Sequence, residues 1–83
     1  MSHTPHELAA EFPQDAQTIH RLKTTDAHFA NLADSYHELN REIHRIEAEV
    51  EAASDERLEV LKKKRLALAD DVGAILAKAR AAV

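Results

Sequence analysis

Cysteine is absent from the 83 residues, which excludes a disulfide framework, a thiolate metal site and a cysteine nucleophile and leaves the redox compartment open. One glycine and two prolines are too few for the tight turns of an antiparallel sheet. There is no tryptophan, and aromatic residues make up 4% of the chain. The 45% hydrophobic content overstates the available core, because 16 of those residues are alanine. No apolar run approaches the roughly 20 residues that cross a bilayer. The N-terminal MSHTPHELAAEF has neither a basic n-region nor an apolar h-region, so no signal peptide is expected and a cytoplasmic location is. The net charge of −4 argues against a general nucleic-acid binder.

What remains is alanine, leucine and charged residues in helical proportions. Apolar residues fall at Phe29, Leu32, Tyr36, Leu39, Ile43, Ile46 and Val50, in alternating steps of three and four. Such a heptad stripe keeps one side of a helix against another helix. A second stripe, Leu58, Leu61, Leu68, Val72 and Ile75, is displaced by one residue from the first frame. Ser54-Asp55-Glu56 at the break has the form of an N-cap followed by acids. The pattern predicts a turn, with a long helix over 25–53 and an antiparallel return helix over 54–82. Continued to Ala53 and to Ala82, each stripe covers about 36 Å at 1.5 Å per residue. The matching register pairs Val50 with Leu61, Ile43 with Leu68, Leu39 with Val72 and Tyr36 with Ile75. Glu47 and Glu49 then lie beside Lys62 and Lys64, but Glu42 falls near Asp71, and nothing in the sequence offsets that repulsion.

Upstream, Thr4-Pro5-His6-Glu7 has the form of a capping box with proline at the first helical position. Pro13 disfavours helix at Phe12 and removes a backbone donor. A short, kinked helical arm over 4–23 is therefore expected, with Leu8, Phe12, Ile19 and Leu22 on its apolar side. Thr24-Thr25-Asp26 supplies capping residues for the long helix. The fold expectation is all-α: one domain over 1–83, a coiled-coil-like antiparallel helical hairpin preceded by that arm.

The segments LKTTDAHFANLADSYHELNREIHRIE (22–47) and SDERLEVLKKKRLALADDV (54–72), with ELAAEFPQDAQTIH (7–20) before them, resemble the YdcH-like family of small bacterial proteins. DAHF, HELN and LKKKRLAL in that order carry the likeness, which covers nearly the whole chain. The resemblance implies a short helical hairpin and a bacterial cytosolic protein with no established biochemical activity. It implies no catalytic residue. Where such proteins often carry a basic residue and an acid, this chain reads Ala69-Asp70-Asp71 and then Gly73, and a glycine inside a helix costs about 1 kcal/mol relative to alanine.

Six histidines raise a metal reading. A helical zinc site needs histidines four apart with a glutamate after the first. His6-Glu7 and His37-Glu38 begin that motif, but Ala10 and Arg41 stand where the second histidine should be. His37 and His44 are the weak candidates that share a face, with the cation Arg41 between them. Lys62-Lys63-Lys64-Arg65 is the one basic run, and it lacks interleaved aromatics. Arg65 takes a stripe position; its stem is expected to cover Ile46 and its head to reach Glu42 or Glu49. A polar register device or an anion-binding residue is the alternative.

Val60, Leu66 and Leu76, with Arg65, form the expected interaction surface, since they lie beside the stripe and need a third body to cover them. That body is either the arm or a second chain. No phosphate loop, nucleophile elbow or convergent carboxylate pair is present, so no catalytic residue and no cofactor is expected. The leading expectation is a non-enzymatic interaction or adaptor protein acting through helix packing, self-associating as a dimer or higher and binding an unknown protein partner. A metal- or haem-binding module using surface histidines is the alternative, and a nucleic-acid-associated regulator a weaker one. No membrane partner is expected.

Overall fold

The computed structural model describes residues 6–81. Helix α1 (Leu8–Glu11) leads through a 3-10 turn (Pro13–Asp15) into α2 (Ala16–Thr25), α3 (Ala27–Glu47) and α4 (Asp55–Ala81). No strand occurs among the described residues, and α3 packs chiefly on α4, as an all-α hairpin requires. The expected capping box at Thr4 and Pro5 lies outside the described residues. Helix begins only at Leu8, after Glu7 in an extended conformation whose side chain makes no cap.

The caps of the two long helices follow from local chemistry. Asp26 accepts from Phe29 N at 3.1 Å and starts α3. Ser54 Oγ accepts from Arg57 N at 3.1 Å at the start of α4. Each satisfies a donor that a first helical turn leaves without a partner.

The end of α3 differs from the sequence expectation. The helix stops at Glu47, not near Ala53, and Val50 lies in the turn at 77% exposure. Glu49 adopts φ 62°, its N–H bonds Ile46 O at 3.1 Å, and Val50 N–H bonds Arg45 O at 2.9 Å. These are the paired bonds of a Schellman motif, with glutamate where glycine is usual. The stop carries no glycine, so the composition does not announce it.

The shorter helix also moves the register. Ile43 and Ile46 pack with Leu61, joined by the half-buried Leu39 and Leu58. Leu68 instead joins the larger cluster of Leu8, Ile19, Phe29, Ala33, Tyr36, Val72 and Leu76. Pairing therefore sits closer to the turn than the heptad match implied. Glu42 consequently meets Arg57 at 2.6 Å, not Asp71, which removes the expected repulsion. Glu47 does pair with Lys62, at 3.0 Å. Glu49 is in the turn and Lys64 is exposed.

The deepest line of α3 runs Phe29, Ala33, Tyr36, Asn40, Ile43 and Ile46. Leu32 and Leu39 are only half-buried, beside that line. The arm explains part of the rotation, because α3 contacts α2 as well as α4. Leu8 and Ile19 are buried in the main cluster and Phe12 and Leu22 pack against it. α3 thus covers two neighbours, and its buried surface is wider than one heptad stripe.

α4 has 27 residues against 21 in α3, so it runs past its partner and meets the arm. The Phe12 ring lies over Gly73, where an added Cβ would sit 3.5 Å from Cε1. Arg80 Nη1 reaches the buried Asp15 carboxylate at 3.4 Å. Leu76 is fully buried in the main cluster. That corrects its place on the expected interaction surface: the arm and α3 together cover it.

Candidate functional site

Three elements meet midway along the hairpin. The chain before α1 brings His6, α3 brings Tyr36, and α4 brings Lys62, Arg65, Leu66 and Ala69. With Glu11 they line an open recess of about 220 Å³. His6 has φ 65°, a left-handed conformation that histidine tolerates better than most side chains. Its carbonyl accepts from the Tyr36 hydroxyl, and its ring Nδ1 lies 2.6 Å from Glu11 Oε1.

Tyr36 is buried. Burial pushes its hydroxyl above the ordinary value of 10.0, and the Glu11 charge pushes in the same direction. The hydroxyl therefore stays protonated at neutral pH and donates to His6. It is a strut between α3 and the chain before α1.

The cations of the recess are also engaged. Lys62 holds Glu47, and its hydrogen bond keeps that carboxyl below its usual range. Arg65 is half-buried, and its Nη1 donates to Asn40 Oδ1 at 2.9 Å. This corrects the expectation that its head reaches Glu42 or Glu49, because the register places a buried amide opposite it. Asn40, fully buried, is the residue that apolar counting missed. Its spacing of seven from Ala33 and four from Tyr36 was the available signal.

His37 and His44 do not converge. His37 Nδ1 lies 2.6 Å from Glu7 Oε2, an ion pair only when the imidazole is protonated. Among the described residues no donor meets that buried oxygen with hydrogen-bond geometry, so its approach to His37 is a close charge contact. His44 stacks on His6 with ring centroids 6.5 Å apart and planes inclined by 18°. Both histidines thus face the arm. Among the described residues no three of His, Cys, Asp or Glu are grouped to hold a metal ion.

Val60 and Leu66 on α4 are 50% and 63% exposed. Being six residues apart, they lie about 120° apart around the helix. Lys63 lies between them and is exposed, and Lys64, also exposed, lies on the far side of Val60. The surface is thus the cation Lys63 flanked by two large apolar side chains, with Lys64 beyond Val60, and Leu66 also forms the rim of the recess.

The model of a family described as a protein of unknown function, DUF465, matches residues 29–76. The chain belongs to the DUF465 family. This is the YdcH-like group that the sequence resembles. The match begins at Phe29 and ends at Leu76, two residues of the same buried cluster, so what this DUF465 member shares with the family model is the hairpin, without the arm. No curated protein and no solved structure matches the chain. Among the described residues, no helix is long and apolar enough to cross a membrane.

Proposed function

We propose that this DUF465 protein is a non-enzymatic interaction protein whose contact surface is the outer face of α4 around Lys62–Leu66. The observation that carries this reading is the exposure of Leu66 and Val60 on a helix whose inner side is already packed. Exposed apolar side chains on both sides of Lys63, with Lys64 beyond Val60, suit a protein partner that offers apolar and acidic groups together. Two of the four cations in the basic run, Lys62 and Arg65, are held by Glu47 and Asn40. That leaves Lys63 and Lys64, better matched to a few carboxylates than to a phosphate backbone.

A photoreactive amino acid replacing Leu66 should crosslink to protein in cells. The same group at Ser35, on the exposed side of α3, should not. Equal labelling from both positions, or none from Leu66, overturns the proposal.

A further inference from the structure

We infer that the partner on this face is a second copy of the chain, docked through α4 in antiparallel orientation about a two-fold axis at Ala67. The inference rests on reading the outer face of α4 as a contact surface, and charge order names the occupant. Along the exposed side of α4 the sequence runs acidic at Glu56 and Glu59, basic at Lys63, acidic at Asp70 and Asp71, and basic at Lys78, while Arg57 and Lys62 turn to Glu42 and Glu47 on α3. Reversing the helix about Ala67 places each block against its opposite. Lys63 then faces Asp70 and Asp71 of the second copy, and Lys78 faces Glu56 of the second copy.

An isologous contact repeats every such pair twice. A parallel arrangement in register would instead put like charges together. Leu66, one residue from the axis, meets Leu66 of the second copy on the same side of the seam, so the most exposed large apolar side chain of the helices covers itself. Lys63 has a competing contact within its own helix, but Glu59 lies 3.9 Å away and both side chains are more than 70% exposed. Such a pair is easily exchanged.

The absence of native cysteine makes the axis directly testable. Ala67→Cys should form a disulfide-linked dimer under mild oxidation, and Ser35→Cys should not. In sedimentation, the wild-type chain of 9.3 kDa should reach twice that mass with rising concentration. Lys63→Glu should weaken the dimer by about tenfold at low salt, since two copies of the pair become repulsive. Adding Asp70→Lys in the same chain should restore it. Both positions are exposed on α4, so neither substitution disturbs the core.

A monomeric wild type at high concentration, or a double variant no better than Lys63→Glu, overturns the inference. If Leu66 still crosslinks to a different protein in that case, the interaction reading stands and only the second copy is wrong. Loss of both results removes both.

Discussion

Arg65 on α4 donates from Nη1 to Oδ1 of Asn40 on α3 at 2.9 Å, a polar contact on the line where the two helices meet. Asn40 is fully buried and Arg65 half-buried, and each occupies a position that an all-apolar hairpin would fill with leucine. A polar pair here selects one register, because sliding either helix would bury an amide against apolar side chains. Arg65→Met should therefore cost about 1–3 kcal/mol by removing a charged donor from a buried acceptor. Asn40→Leu combined with Arg65→Met should cost less than the two single changes added together. Chemical denaturation of the four proteins measures that coupling.

The buried line of α3 separates two residues that the heptad reading treats alike. Ile43→Ala, at a fully buried position, should cost about 2–5 kcal/mol. Leu39→Ala is half-buried and should cost clearly less, about 1–2 kcal/mol by area removed from water. Equal losses in urea unfolding would place α3 in the other rotation.

Two exposed or loosely covered positions should gain stability. Glu49 holds φ 62° at the end of α3, so Glu49→Gly should relieve about 1 kcal/mol of left-handed strain. Gly73 sits inside α4 with ordinary contact distance to the Phe12 ring, so Gly73→Ala should add about 0.5–1 kcal/mol from helix propensity. Thermal melts of both variants should shift upward. A downward shift at Gly73 would show that Phe12 needs the full space.

The Tyr36 hydroxyl gives the fold an alkaline limit. Its proton is held more tightly in the folded protein than in the unfolded chain. Its contribution to stability is fully present below the unfolded value near pH 10 and is lost as pH rises through the higher folded value. Tyr36→Phe should start lower in stability, having lost the bond to the His6 carbonyl. It should also decline less steeply above pH 10. Circular dichroism melts across pH 9 to 11 would show parallel curves if the hydroxyl plays no part.

At the acid end the sign reverses. Lys62 lowers the Glu47 carboxyl, so that pair supports the hairpin above pH 4.5 and is lost as pH falls through the depressed value. Both side chains are more than a third exposed to solvent, and salt should screen most of the effect. Lys62→Ala should therefore change acid stability only slightly, and less at high ionic strength.

Heptad spacing and capping chemistry were enough to determine two long helices that fold back on each other, with a broken arm before them. Asp26 and Ser54 start the helices because their side chains satisfy local donors, and the frame change after Val50 excludes one continuous rod. Those are short-range facts, legible in any stretch of a few turns. The stopping point of α3, the pairing of Ile43 with Leu61, the burial of Asn40 and the covering of Leu76 were decided by tertiary structure. Each depends on how far α3 turns to share its surface between α4 and the arm, and residues 6–25 reach α3 and α4 only once the chain is folded. The candidate site divides in the same way. The exposed Leu66 and the lysines beside it can be read from spacing on one helix. The recess beside them exists only because His6, Tyr36 and Arg65, remote in sequence, are brought together by the packing of three elements.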